Sequence, residues 1–546
     1  MFRHALFLLL ILLLSAFQAW TRFSHQGPDP GMADGFWVFF TDKQGVEFDP
    51  HAYFHENAIG RRLSLGLCLY DSLDFPVRAD YLDSLTSLAG APSVVSRWLN
   101  AAHVRLSAGE AIQLETLDFV KKVIPVSMRL IPAAAKAEPV SQAGFEVPDS
   151  ALLSQQIRHM SGQAFAAHGF DGRSIRIAIF DSGFSGVEEH PAFAHIIGQG
   201  RIIGSWDFHR SQENVFTSGS HGTMVLSVIG GMLDGLPMGL ATGAEFLLAR
   251  TEIFRELLVE EKYWLAAVEW ADRHGAHIIN SSLGYVFHRY FPEQMDGQTS
   301  LVARAAHIAA SKGILIINAA GNEGNNEKWR IVVTPADADS VLTVGALSFP
   351  SLLRAPYSST GPTADGRLKP NVSALGTVVA AGRRGLATPR GTSFASPLVA
   401  GFAACLWQMN PSWTNMDVFR AIERSSTLYP YYDYAHGVGI PQADYFLSPY
   451  PLVVLPTFDI MDGGNDTLKI VIRQNPAKDQ NQTDKATIHK YIDYLYYKIM
   501  GPDSGIEQYF VVEVSDANIL KLGMEQFGPG RRLLVHYKGY TSAVSF

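Results

Sequence analysis

Apolar residues in this chain follow three successive rhythms, and the changes of rhythm mark its parts. The first part opens with an unbroken apolar run, GFWVFF (35–40), closed by the polar TDKQG. That pattern predicts a strand. Asp49-Pro50 then predicts a helix start, with Asp49 as N-cap and Pro50 at the first helical position. RWLNAAHVRLS predicts a further strand. SAGEAIQLETLDFVKKV predicts a helix, because Ser107 and Glu110 have capping-box spacing and Ala111, Leu114 and Leu117 recur at helical spacing. Together these make a small α+β unit. The Ala- and Pro-rich PAAAKAEPVSQAGFEVP that follows reads as a linker.

From about Asp171 short β-rich runs alternate with helical patterns. RIAIF ends at Asp181 and AEFLLAR ends near Arg250; AHIINSSLG, GILIINAAGNEG and VLTVGAL follow. Between them YWLAAVEWADRHG and LVARAAHIAASKG have helical periodicity. This alternation predicts an α/β domain with a mostly parallel sheet flanked by helices. In such sheets the working residues sit at the carboxyl ends of strands, where Asp181, Ser282 and Asn322 fall. After about Tyr450 the rhythm changes again. PYPLVVLPTFD reads as a linker or edge strand and QNPAKDQNQTDKAT as polar loop. YIDYLYYKIM, IEQYFVVEV and RRLLVHYKGY read as strands of a small β domain, with GPDSG as a turn.

Composition narrows the function classes. The chain has 546 residues, 47% hydrophobic and 18% charged, enough for several domains. A net charge of -8 without any basic block argues against nucleic acid as a partner. Two cysteines, Cys68 and Cys405, exclude a disulfide framework or a Cys-rich zinc site. Each lies in an apolar run and is expected to be buried. MFRHALFLLLILLLSAFQAW has a positive Arg3, an apolar stretch Ala5 to Leu14, and small residues at Ser15, Ala16 and Ala19. This is the pattern of a secretory signal peptide over 1–19. The apolar stretch is short for a membrane span. The expectation is an exported protein, secreted, periplasmic or at the cell surface, with no membrane span after signal removal.

Three motifs carry candidate chemistry: IAIFDSG with Asp181, SHGTMVLSVIGG with His221, and GTSFASPLVAG with Ser393. Singly each has a bland reading, as a strand-end turn residue, a helix cap and an N-cap. Together they suit acyl transfer. A serine hydroxyl needs a histidine to take its proton, and that histidine needs a carboxylate to hold its tautomer. The three are separated by about 40 and about 170 positions, so only the fold assembles them. Gly391 permits close backbone approach, and the helix begun at Ser393 aims its dipole at a developing oxyanion. INAAGNEGNN adds Asn322, whose amide is placed to donate to that oxyanion beside the Ser393 N–H. Ala319 and Ala320 suit one wall of a side-chain pocket.

The order Asp, His, Asn, Ser, carried by DSG, HGT, AAGNEG and GTSFASP, resembles the subtilisin-like serine protease (subtilase) family over roughly Asp171 to Ala443. The resemblance implies a triad of Asp181, His221 and Ser393 with Asn322 as oxyanion donor. NSSLGY resembles the family's substrate-binding strand, which implies that Ser282, Leu283 and Gly284 pair with an extended peptide. Ala319, Ala320 and Gly321 then line the facing wall. HGVGIPQAD resembles the family's closing G-x-G segment. The N-terminal unit resembles the family's inhibitory propeptide. The implied layout is a signal peptide at 1–19, a propeptide-like α+β domain with linker at 20–145, a peptidase domain at 146–450 and a C-terminal β domain at 451–546. The implied function is an exported serine endopeptidase, made as a zymogen, that hydrolyses peptide bonds through an acyl-enzyme on Ser393. Its partners are protein or peptide substrates and its own propeptide.

Several positions depart from the family pattern. Met224 and Leu398 stand where many members carry His, and neither is a triad position. Many members bind calcium through an HPD segment, whereas this chain has His190-Pro191-Ala192. No metal ligand is assigned and no cofactor is required; structural calcium is left open, without support at the usual HPD position. The alternative is a catalytically inactive homologue used for binding or adhesion, but the chain retains all four residues. A serine esterase of another fold is disfavoured by the order Asp, His, Ser and by the lack of a G-x-S-x-G elbow.

Overall fold

The computed structural model describes residues 35–126, 150–253, 260–286, 289–448, 454–473, 493–514 and 519–546. The expected signal peptide, the linker at 132–148 and most of the polar loop QNPAKDQNQTDKAT lie outside the described residues.

The first part forms β1 (Phe36–Phe40), α1 (Glu56–Ser64), α2 (Ala79–Ala89), β2 (Val94–Ser96), β3 (Ala101–Val104), α3 (Ala108–Leu114) and β4 (Val120–Pro125). The strands pair antiparallel in the order β2-β3-β1-β4. Phe36, Val38, Phe40, Leu85, Val104 and Leu114 fill the core. The Ser107–Glu110 capping box forms at α3, and Asp49 caps the short helix Pro50–Tyr53. Residues 35–48 and 72–126 form one compact unit, while Asp49–Asp71 belong to the other. The reason is charge burial on α1. Arg61 and Arg62 are both buried and both pair with the buried Asp272, Arg62 at 2.6 Å. Buried charges of this kind are tolerated only when paired.

The larger unit contains β5 (Arg176–Asp181), β6 (Ile202–Asp207), α4 (His221–Gly230), β7 (Glu245–Arg250), α5 (Glu260–Arg273), β8 (Ile278–Ser281), α6 (Leu301–Ser311), β9 (Leu315–Ala319), β10 (Val341–Leu347), β11 (Val372–Leu375), α7 (Thr392–Met409) and α8 (Asn415–Arg424). Its seven-stranded sheet has the order β11-β10-β9-β8-β5-β7-β6, with every neighbouring pair parallel. The strands are apolar on both faces because helices cover both. Ile177, Ile179, Leu248, Ile278, Leu315, Ile317 and Val344 are buried in one core with Leu398, Phe402 and Leu406 of α7. From β5 the chain first builds outward through β6 and β7, then returns to add β8 on the other side. The sheet therefore has its topological switch point between β5 and β8, where open α/β sheets form their crevice.

The last part forms β12 (Phe458–Gly464), β13 (Thr467–Ile472), β14 (Asp493–Met500), β15 (Ile506–Val514), β16 (Ile519–Gly523), β17 (Arg532–Tyr537) and β18 (Tyr540–Ser545). They make two antiparallel sheets, β12-β13-β16 and β15-β14-β17-β18. Leu495, Leu522, Leu533 and Val535 lie in their shared core. This part is tied to the unit of the parallel sheet by polar bonds: Lys498 Nζ donates to the Tyr432 carbonyl (2.8 Å), and His536 Nε2 bonds the Thr427 carbonyl (3.1 Å).

One cysteine differs from expectation. Cys405 is buried on α7, but Cys68 is exposed. The run LGLCLY is a surface turn after α1, in which Leu65, Leu67 and Leu69 are half-buried and the residues between them face solvent. Among the described residues no helix is long and apolar enough to cross a membrane.

Candidate active site

Asp181 is the last residue of β5 and is fully buried. Its Oδ1 accepts the Ser182 N–H (2.7 Å). Arg250 steadies this turn, donating from Nε to the Ser182 carbonyl (2.9 Å) and pairing through Nη1 with Asp207 (2.7 Å). Gly183, at φ 141°, allows the turn to meet the segment before α4; a Cβ there would stand 1.6 Å from the Ser218 carbonyl oxygen. That approach brings His221, the first residue of α4, onto Asp181. His221 Nδ1 lies 2.9 Å from both carboxylate oxygens. An ionised carboxylate only accepts, so Nδ1 carries the proton and Nε2 keeps its lone pair. The Phe394 ring packs against the imidazole at 5.2 Å between centroids. Burial pushes the His221 pKa down, but the charge of Asp181 and its hydrogen bond outweigh burial, and the net shift is upward.

Ser393 lies in the first turn of α7. Gly391 occupies the N-cap and Thr392 is the first helical residue, so Ser393 is one position inside the helix rather than its cap. Pro397 lies four residues on and has no N–H to offer the Ser393 carbonyl. Ser282 Oγ donates to that carbonyl instead (3.0 Å), and Ser393 Oγ donates to the Ser282 carbonyl (3.1 Å). Asn280 Nδ2 donates to Ser282 Oγ (3.1 Å), and Ser396 Oγ donates to Asn280 Oδ1 (2.7 Å). In this conformation the Ser393 hydroxyl serves Ser282 and not His221. Nucleophile–base bonds are often unmade before substrate binds.

Asn322 follows β9 through Gly321. Its Oδ1 accepts the Thr392 N–H (3.0 Å) and the Thr392 hydroxyl (3.1 Å). A backbone N–H only donates, which fixes the amide orientation and turns Nδ2 the other way. Nδ2 and the Ser393 N both lie 3.7 Å from the point where a Cβ on Gly391 would stand. Gly391, at φ 154°, thus leaves open a small space bordered by two donors and, at 3.8 Å, by Asn322 Oδ1, which is engaged by Thr392. Such a space suits an oxyanion.

The remaining predicted residues gather at the same end of the sheet. Ser282 and Leu283 are buried and Gly284 is exposed just beyond β8. Asn318 Nδ2 donates to the Leu283 carbonyl (2.9 Å) and holds this segment to β9. Ala319 and Ala320 are buried, and the Gly321 N–H donates to Thr392 Oγ1 (3.3 Å). Sequence reasoning missed the linking roles of Thr392, Asn280 and Pro397. The proline four residues after the serine was the available signal, since it must leave one helical carbonyl unbonded.

Ala192 is buried and apolar, and His190 Nδ1 accepts the Ala192 N–H (3.1 Å). Among the described residues no group of three His, Cys, Asp or Glu side chains is placed to hold a metal ion. A cavity of about 310 Å³ lies elsewhere, lined by His436, Tyr496 and His536 among others, and shares no residue with the candidate site.

Comparison with known proteins finds family matches over two parts of the chain. The model of the subtilase family, Peptidase S8, matches residues 172–440. The model of the Peptidase S8 propeptide domain of Bacteroidota matches residues 35–141. Subtilisin of Bacillus pumilus is 30% identical over 275 residues, covering 50% of this chain and 90% of that protein. Subtilisin E of Bacillus subtilis (strain 168) is 30% identical over 276 residues, and the chain covers 65% of its length. The crystal structure of MycP1 from Mycobacterium smegmatis aligns with 55% of this chain and 88% of its own, at 21% identity and a TM-score of 0.42. With a relative matched over nearly all its length and the family model spanning the whole parallel sheet, the chain belongs to the subtilase family.

Proposed function

We propose that the protein is an exported serine endopeptidase made as a zymogen. The observation that carries this reading is the His221–Asp181 pair at 2.9 Å, set beside the helix turn that bears Ser393. On binding of an extended peptide along Ser282–Gly284, Ser393 Oγ rotates from the Ser282 carbonyl toward His221. Nε2 takes the hydroxyl proton as Oγ attacks the scissile carbonyl, and Asp181 stabilises the imidazolium. Asn322 Nδ2 and the Ser393 N–H hold the oxyanion. As the C–N bond breaks, His221 gives its proton to the leaving amine. Water, deprotonated by His221, then attacks the acyl-enzyme, and Oγ recovers its proton as the acid leaves.

The signal-like segment at 1–19 supports export, and the propeptide match over 35–141 supports synthesis as a zymogen. Protein substrates and the chain's own propeptide are the partners that follow. The test is Ser393→Ala in the full chain. The variant should neither mature nor react with a fluorophosphonate probe, and peptide hydrolysis should fall about a million-fold, the loss known for the nucleophile of subtilisin itself. Normal maturation and casein cleavage by the variant would refute the reading, whereas an unlabelled wild type would favour the inactive binding homologue.

A further inference from the structure

Val333 stands between the two segments that would flank a bound substrate side chain. A Cβ on Gly284 would lie 2.2 Å from Val333 Cγ2, and a Cβ on Gly321 would lie 2.6 Å from Val333 Cγ1. One methyl therefore faces each wall, and both walls must be glycine for the valine to fit. Its backbone is tied to both sides. The Val333 N–H donates to the Ala320 carbonyl (3.1 Å), and the Thr334 carbonyl accepts the Tyr285 N–H (2.9 Å). Val333 is only 2% exposed and belongs to a small apolar cluster with Met295 and Trp329, against which Val286, Tyr290 and Ile331 pack. The valine is thus the top of a filled floor rather than a side chain free to swing away.

We propose that Val333 is a specificity-determining residue that limits the residue whose carbonyl Ser393 attacks to a small side chain: glycine, alanine or serine. The proposal rests on the endopeptidase reading. The glycine walls leave room for a flat side chain only if the floor is empty, and here two methyls occupy it. Larger side chains would have to displace a packed cluster, which interiors resist. A misfit of one or more methylenes in an apolar pocket discriminates by roughly tenfold or more.

The test uses the matured full-length product and succinyl-Ala-Ala-Pro-Xaa p-nitroanilides with Xaa as Gly, Ala, Leu or Phe. Rates are referred to sites titrated with a fluorophosphonate, so that misfolded enzyme does not count. Wild type should prefer Ala over Phe by more than about tenfold in kcat/KM. Val333→Gly should reverse or abolish that ratio, and Val333→Ala should fall between. A wild type that cleaves the Phe substrate as well as the Ala one overturns the proposal. So does a Val333→Gly enzyme, or Val333→Ala if the glycine variant does not fold, with an unchanged ratio. A wild type that neither reacts with the probe nor cleaves any of the four peptides overturns the endopeptidase reading as well, which separates the two failures.

Discussion

Ser282 and Ser393 exchange hydrogen bonds in both directions, each hydroxyl donating to the other's carbonyl at 3.0 and 3.1 Å. The pair joins the end of a β-strand to the first turn of a helix 111 positions away. It exists because Pro397 removes the N–H that would otherwise satisfy the Ser393 carbonyl. The backbone of the proposed nucleophile is therefore positioned by the segment expected to bind substrate.

Removing that link should loosen the nucleophile without deleting it. Ser282→Ala should lower kcat/KM by about tenfold and cost about 1 kcal/mol in stability, the usual worth of one hydrogen bond. A second change, Pro397→Ala, restores an N–H four residues after Ser393. In the double variant part of the stability loss should return, and a double-mutant cycle in urea unfolding measures it. Additive effects would mean that the two positions are not coupled.

Activity should fall on the acid side with a midpoint above pH 6.5. The base form of His221 is neutral, and its pKa is raised above 6.5 by Asp181. Protonation, and with it loss of activity, then sets in as pH falls through that raised value. Asp181→Asn removes the charge and the fixed tautomer together. It should move the acid limb downward and cost about ten-thousand-fold in kcat. The pH profile of kcat/KM for both enzymes checks this.

Stability should also decline with acid, for a separate reason. His159, His277 and His536 are pushed down by burial to about 4, about 3 and about 4, with Arg61 and Arg176 adding to the effect at His277. Their unfolded pKa is near 6.5, so below that value the unfolded chain binds more protons than the folded one. Stability is complete above pH 6.5 and is lost as pH falls toward the folded values. Each histidine contributes a loss of about 1.5 kcal/mol between pH 6.5 and pH 5. Urea midpoints measured at pH 7, 6 and 5 should fall stepwise. A midpoint unchanged over this range would contradict the burial of all three.

Asp272 anchors α1 by offering one carboxylate oxygen to Arg61 and the other to Arg62. Asp272→Ala removes the carboxylate that the two buried guanidinium groups share, a loss of about 3–5 kcal/mol when one partner of a buried pair is removed. In a Ser393→Ala background, in which the proposed function expects no maturation, amide exchange across Glu56–Ser64 should quicken while exchange in β8 and β9 stays slow. Equal protection of α1 in both proteins would show that its apolar contacts suffice.

Much of the site was legible along the chain because its chemistry is stated by local patterns. A carboxylate at the end of an apolar run, a histidine opening a helix and a serine between Gly-Thr and a helix each have a local signature. The strand-and-helix alternation likewise announced the parallel sheet, since period and apolar content belong to each segment alone. Burial was less legible. LGLCLY reads as core by composition, yet Cys68 is exposed, because which side of a segment is covered depends on what folds against it. The propeptide-like stretch shows the same limit: its apolar pattern gave no sign that the charged pair Arg61 and Arg62 would carry residues 49–71 onto Asp272.

By itself the sequence determined the parallel-sheet class, the family and the identity of Asp181, His221, Asn322 and Ser393 as the residues to examine. Only the tertiary structure decided that Ser393 is held through Ser282, that Gly391 opens a space between two donors, and that Val333 occupies the gap between Gly284 and Gly321. The physical reason is the range of the interactions. Propensity and periodicity act over a few residues, whereas hydrogen bonds and van der Waals exclusion act between whichever atoms the sheet brings within a few ångströms. In this chain those atoms come from positions 12 to 111 residues apart.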